Sequence, residues 1–233
     1  MPTAKAEPVT ITVAEDVRVS GLLQAPARPT ACCVLAPGAG AGMDQPFLAA
    51  VAAGLAQRGI ATLRHQFPYM ERGSKRPDPP QVAHAVVRAA VTEAGRQFGN
   101  LPLIAGGKSF GGRMTSQALA AAPLPKVRGL AFLGFPLHLS GRPSQDRGQH
   151  LFEVRVPMLF LQGTRDPLAA LDQLEPLCTA LGELATLKLF QDADHSFHVP
   201  ARTGRNDAQV RNELLDTLAA WIEPLSQLDA INR

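Results

Sequence analysis

Gly107-Lys108-Ser109-Phe110-Gly111 is where residue types and spacing in this chain first point to chemistry. The pattern is G-x-S-x-G, and its flanks give it a mechanical meaning. A short apolar run over residues 101–105 reads as a buried strand, and a helical pattern runs over 109–121. A serine on a sharp turn between strand and helix is strained and exposed, and glycine neighbours let the surrounding backbone pass close to it. The helix below offers unpaired N–H groups and the positive end of its dipole to a developing oxyanion. A plain Gly-rich turn capped by serine would show the same five residues, so the rest of the chain has to decide.

A serine hydroxyl is a weak nucleophile at neutral pH and needs a base to take its proton. Two polar stretches follow later apolar runs. Gln162-Gly163-Thr164-Arg165-Asp166-Pro167 follows residues 157–161, and Asp192-Ala193-Asp194-His195-Ser196-Phe197 follows residues 185–190. His195 is the candidate base, because an imidazole titrating near pH ~6.5 can accept and return a proton. Asp166 would fix its tautomer and stabilise the imidazolium. His198 competes as base from beyond Phe197. Asp192 and Asp194 compete with Asp166, but as close chain neighbours of His195 they are better suited to turning the loop.

An oxyanion hole needs two aimed N–H groups. Phe110, following the serine, supplies one. The loop Pro37-Gly38-Ala39-Gly40-Ala41-Gly42 is expected to supply the other, from Ala39 first, with Gly38 and Gly40 next and also available to substrate. Phe67, Tyr69, Phe135, Leu137 and His138 lie after strand ends and suit a substrate pocket or ordinary packing equally. Lys108, Arg113, Arg64 and Arg165, also near strand ends, are expected in structural ion pairs.

The elements that must position these groups follow from periodicity. Residues 9–13 and 17–23 alternate around Ala14-Glu15-Asp16, predicting an N-terminal antiparallel hairpin. Continuous apolar runs over 31–36, 60–64, 101–105, 127–133, 157–161 and 185–190 predict strands buried on both faces. Helical patterns lie between or after them at 44–58, 81–98, 109–121, 168–181 and 207–222, with Asp44 expected as an N-cap and Gly59 as a stop. Strands alternating with helices predict an α/β fold: a mainly parallel central sheet with helices on both faces. The segment between the 127–133 and 157–161 strands is too short for a large lid. In such a sheet ligands bind beyond the carboxyl ends of the strands, which is where Ser109, Asp166 and His195 fall, in that chain order.

With these pieces in place, the chain resembles the α/β-hydrolases. It is similar in particular to small bacterial members sharing a domain with a testis-expressed animal protein and with a subunit of the nonspecific-lethal histone-acetyltransferase complex, and more distantly to dienelactone hydrolases. The matching stretches are Leu35-Ala36-Pro37-Gly38-Ala39-Gly40-Ala41-Gly42-Met43-Asp44, Phe67-Pro68-Tyr69-Met70-Glu71, Lys75-Arg76-Pro77-Asp78-Pro79-Pro80, the Ser109 turn over Gly107–Met114, Phe132-Leu133-Gly134-Phe135-Pro136-Leu137-His138, Leu161–Pro167 and Asp194-His195-Ser196-Phe197. The resemblance implies the α/β-hydrolase fold, with Ser109 as nucleophile, Asp166 as acid and His195 as base. One departure is Pro37, where the family usually has histidine before the first loop glycine; proline removes an N–H from that loop.

Length and composition bound the rest. A chain of 233 residues, 45% apolar and 18% charged, suits a single globular domain over 1–233. A net charge of +3, with basic residues scattered apart from a cluster at 72–76, does not imply nucleic-acid binding. No apolar run approaches a membrane span, and the first residues lack the apolar stretch of a signal peptide, so a cytoplasmic location is expected; the partner expected is a small-molecule ester, with the chain a monomer or homodimer. The 3 cysteines are expected as free buried thiols, no metal-ligand spacing occurs, and no cofactor is implied. The expected function is a serine hydrolase acting on a small carboxylic ester or related acyl bond through an acyl-enzyme. The alternative is a non-catalytic or weakly catalytic protein-interaction module on the same fold.

Overall fold

Continuous runs of Val, Leu, Ile, Ala and Cys need cover on both faces, and a twisted sheet between two helix layers provides it. The computed structural model describes residues 4–99 and 101–227. Its strands are β1 (Glu7–Ala14), β2 (Val17–Gln24), β3 (Ala31–Ala36), β4 (Ile60–His65), β5 (Leu103–Lys108), β6 (Val127–Leu133), β7 (Met158–Gly163) and β8 (Ala185–Phe190). They form one sheet in the order β1-β2-β4-β3-β5-β6-β7-β8. The β1–β2 hairpin is antiparallel and joins β4 antiparallel, and every pairing from β4 to β8 is parallel.

The helices are α1 (Pro46–Gln57), α2 (Pro68–Glu71), α3 (Pro80–Phe98), α4 (Phe110–Ala121), α5 (Leu171–Leu181) and α6 (Asp207–Gln227). Alternation along β3 shows how they share the sheet. Cys32, Val34 and Ala36 pack in the core that includes Val86 and Ala90 of α3 and Met114 of α4, while Ala31, Cys33 and Leu35 pack with Val51 of α1 and Leu214 of α6. Successive strand side chains point to opposite faces, so one six-residue strand serves both cores. Cys32 and Cys33 thus face opposite ways, and they and Cys178 are free and buried.

Several boundaries depart from the sequence expectations for local reasons. The first helix starts at Pro46 rather than Asp44, because proline fits the first helical position and Gln45 caps it, accepting from the Leu48 N–H at 3.1 Å. The helix expected from residue 168 begins at Leu171, since residues 166–169 form a turn in which Ala169 N–H donates to the Asp166 carbonyl. The strand expected at 101–105 runs instead over Leu103–Lys108, so it delivers Lys108 and Ser109 to the strand end. Periodicity does not anticipate α2 or the three 3-10 helices among the described residues, an eight-residue one over Asp146–Glu153 and short ones over Gly182–Leu184 and Ala201–Thr203. The Asp146–Glu153 helix and its flanking turns fill the whole β6–β7 connection, and there is no large lid.

No helix among the described residues is long and apolar enough to cross a membrane, and no group of three metal-ligating side chains is found among them.

Candidate active site

Ser109 is built by close approach. A Cβ on Gly107 would stand 2.1 Å from the Ala36 carbonyl oxygen, and one on Gly111 would stand 2.5 Å from the carbonyl oxygens of both Ala36 and Pro37. Glycine is therefore required where the strand-to-helix turn crosses the end of β3. Between them Ser109 adopts φ 50° and ψ −118°, a conformation that a non-glycine residue holds only when its surroundings force it. The turn is fastened by Ser109 N–H to the Leu133 carbonyl at 3.4 Å and by Arg113 N–H to the Ser109 carbonyl at 3.1 Å. Phe110, Gly111 and Gly112 are the first residues of α4, so their N–H groups have no acceptor within the helix.

The other two predicted residues meet. His195 Nδ1 lies 2.6 Å from Asp166 Oδ2; the carboxylate side chain is 0% exposed and the imidazole 22%. Asp166 also accepts from Gln162 Nε2 on Oδ2 and from the Leu168 N–H at 2.8 Å on Oδ1. Three donors converge on a carboxylate that has lost its water, which is the condition for burying one without a large cost. An ionised carboxylate only accepts, so the shared proton belongs to His195 Nδ1 and leaves Nε2 free as the basic nitrogen.

His198 is turned elsewhere. Its Nδ1 lies 2.9 Å from Asp207 Oδ2 on α6, it is exposed, and Asp207 holds its pKa above the usual imidazole value. Asp194 turns the loop, accepting from the N–H groups of Ser196 at 2.7 Å and His198 at 3.0 Å. Asp192 sits in the same loop at φ 59° and donates its N–H to Thr164 Oγ1.

The loop over residues 37–42 curls above Ser109: a Cβ on Gly38 would stand 3.8 Å from the Ser109 Cβ. Its shape is held by Tyr69, whose hydroxyl accepts from the Gly40 N–H at 3.2 Å and lies 3.5 Å from the Gly38 carbonyl. Tyr69 is itself fixed by its own N–H donating to Asp78 Oδ2 at 2.8 Å, and Met43 N–H donates to Gln66 Oε1 at 2.9 Å. The Gly40 N–H is thus engaged, while Ala39 is exposed at the tip of the loop.

The remaining predicted pocket residues are taken up by packing. Phe67, Tyr69, Phe135 and Leu137 all belong to the core under α3 and α4, each at most 1% exposed. His138 is buried, donating from Nδ1 to the Leu139 carbonyl and accepting on Nε2 from the Ala170 N–H, both at 2.8 Å. Phe110, partly buried, stacks edge-on against Phe67 with ring centroids 5.5 Å apart.

The expectation of ion pairs for the four strand-end cations fails. Among the described residues none of Lys108, Arg113, Arg64 and Arg165 forms one. Lys108 Nζ donates to the His195 carbonyl, Arg64 donates to the Met43 carbonyl at 3.0 Å, and Arg113 lies over the Phe110 ring at 5.9 Å. Sequence reasoning missed Gln162, whose amide joins Asp166 to the Phe135 N–H at 2.9 Å. Its signal was a lone amide at the end of an apolar strand, four residues before the acid.

This constellation stands on a sheet that is widely shared. A family model described as alpha/beta hydrolase domain matches residues 29–223. The chain belongs to the α/β-hydrolase domain family. Among solved structures, this α/β-hydrolase is similar to a dienelactone hydrolase from Anabaena variabilis, with a TM-score of 0.76 at 21% identity over 95% of this chain and 98% of that one. An α/β serine hydrolase homologue from Coxiella burnetii gives 0.73 at 18% identity, covering 91% and 97%. An α/β serine hydrolase without lid from Xanthomonas campestris gives 0.72 at 20% identity, covering 95% and 96%.

Proposed function

We propose that this α/β-hydrolase is a serine hydrolase that cleaves a small carboxylic ester or related acyl bond through an acyl-enzyme. Ser109 Oγ attacks the acyl carbon while His195 Nε2 takes its proton. The same proton passes to the departing alcohol oxygen as the C–O bond breaks. Water then repeats the sequence against the acyl-serine and releases the acid. Asp166 holds the imidazole and balances its charge, and the N–H groups of Phe110 and Ala39 receive the oxyanion.

The observation that carries this reading is the 2.6 Å contact between His195 and a buried, hydrogen-bonded Asp166, beyond the same carboxyl end of the sheet as a serine held at φ 50°. A module that only bound a partner would have no physical use for a strained serine. The stretches around residues 35–44, 67–80 and 132–138 support a finer kinship with the small bacterial members that share a domain with the testis-expressed protein and the nonspecific-lethal complex subunit. Fluorophosphonate labelling followed by peptide mapping tests the assignment. The label is expected on Ser109, and Ser109→Ala should lose both the label and p-nitrophenyl butyrate turnover while keeping its circular dichroism. Labelling of another serine in that variant, or unlabelled wild type, refutes it.

A further inference from the structure

Lys108 sits where a lysine is costly. It ends β5, its stem runs beside the loop over residues 37–42, and a Cβ on Gly38 would stand 3.7 Å from its Cγ. Its Nζ crosses to the opposite side of the site and donates to the main-chain carbonyl of His195. The Phe197 ring centroid lies 5.5 Å from that nitrogen. Gly134 makes the crossing possible, since a Cβ there would stand 2.9 Å from Nζ and 3.4 Å from His195 Nδ1. An ammonium in such a place must recover what it loses by leaving water, and among the described residues its one hydrogen-bond acceptor is the carbonyl of the candidate base.

We propose that Lys108 is a positioning residue for His195, fixing through one side chain the separation between nucleophile and base. The inference rests on the triad reading above. The backbone of Lys108 carries Ser109 directly after it, and its ammonium grips the main chain of His195. The loop after β8 therefore cannot drift from the serine turn without breaking this contact. Asp166 and Gly134, which has no Cβ, complete the enclosure: the carboxylate sets the ring's rotation, and the lysine sets the position of the backbone from which the ring hangs. A methionine or leucine would fill the same volume, so packing alone does not call for an ammonium here.

The grip also depends on protonation. The titratable groups facing Lys108 are Asp166 from the loop after β7 and Asp194 and His195 from the loop after β8. Burial pushes the ammonium down to about 8, and Asp166 and Asp194 offset only part of that effect. The charged, stronger donor is present below that pH and is lost above it. Turnover should fall on the alkaline side as the loop is released.

The test uses the whole protein and the variant K108M, which keeps the stem and removes the charge. One arm measures kcat and KM for p-nitrophenyl butyrate from pH 6 to 10. Wild type is expected to lose kcat above about pH 8, while K108M should run about 10- to 100-fold lower with KM within about twofold and no alkaline limb. The other arm needs no turnover: it follows the far-downfield proton NMR signal of the His195–Asp166 hydrogen bond, assigned by its loss in H195Q. That signal should be sharp in wild type at pH 7, broaden above about pH 8, and be broad in K108M throughout. Unchanged kcat in K108M, or an alkaline limb that survives the substitution, overturns the proposal. A wild-type signal that stays sharp to pH 10 overturns it too, and this arm decides should K108M fail to fold. Wild type without turnover or probe labelling would instead sink the hydrolase reading, leaving the NMR arm to decide the role of Lys108.

Discussion

Tyr69→Phe removes a single buried oxygen from the loop that overhangs Ser109. The ring stays where it is, stacked on Phe67 with centroids 6.0 Å apart and 1% exposed, so no cavity of consequence opens. What goes is the acceptor for the Gly40 N–H at 3.2 Å and a marginal contact to the Gly38 carbonyl at 3.5 Å. One ordinary hydrogen bond plus a half-buried N–H left unpaired amounts to about 1–2 kcal/mol. For a chain of this size that lowers the melting temperature by about 2–8 °C. The catalytic effect is separate. Removing an oxyanion donor outright costs about 100- to 1000-fold in kcat; here the Ala39 N–H is loosened rather than lost, since the Ala41 N–H to Gly38 turn at 3.2 Å remains, so a fall of about 10-fold is expected. Differential scanning fluorimetry and steady-state kinetics with p-nitrophenyl butyrate measure the two quantities on one preparation. A lower melting temperature with kcat within twofold of wild type would show that the hydroxyl only stabilises the fold, and would remove Ala39 from the oxyanion site.

Asp166→Asn puts an NH₂ either on the site that Gln162 Nε2 and His195 Nδ1 share or on the site facing the Leu168 N–H, so a donor faces a donor in either orientation; kcat should drop by about 10⁴ with KM little changed, and a drop below 10-fold would dismiss Asp166 as the acid. His65 is buried with neither ring nitrogen bonded, and burial holds its pKa down at about 4. The unfolded chain takes up that proton first, so stability is lost as pH falls from about 6.5 towards about 4. Urea unfolding at pH 7 and pH 4.5 should show a smaller acid loss in His65→Leu than in wild type, by about 2 kcal/mol, and equal losses would contradict the assigned cause. Chain-length dependence follows from the burial of Phe135 and Leu137, which leaves them little surface to cover an acyl tail. Because each buried CH₂ contributes about 0.8 kcal/mol, kcat/KM for p-nitrophenyl esters should peak between acetate and about hexanoate, and a steady rise to decanoate would reveal a groove.

The sheet was legible because its strands are continuous apolar runs, and a chain cannot hide such runs except between two layers. The ends of elements were less so. Asp44 suggests a cap, yet Pro46 decides where α1 begins, and periodicity carries the helix back to residue 168 because a tight turn after Asp166 leaves no mark on it. At the site, order and strand-end placement brought out Asp166 and His195, which the fold brings within 2.6 Å. Gln162 stands four residues before Asp166, but its other partner, the Phe135 N–H, follows a different strand. Lys108 is visible as a strand-end cation, but its acceptor is the His195 carbonyl, reached past the missing Cβ of Gly134, and spacing along a chain does not encode that reach. For the aromatic residues after β4 and β6, pocket and packing stand equal in the sequence, since strand-end position says where a residue starts and not which way its ring turns; their rings lie in the core.

The β6–β7 connection, closed by a 3-10 helix of eight residues, has a kinetic consequence. Enzymes with a mobile cover wait for it to open, and those that meet fats use an oil–water boundary to open it. With no such cover, the protein has nothing for an interface to switch on. Its rate should saturate smoothly with dissolved substrate and show no jump where micelles form. On the mechanism proposed above no gate paces turnover, and thickening the solvent with sucrose should slow it little.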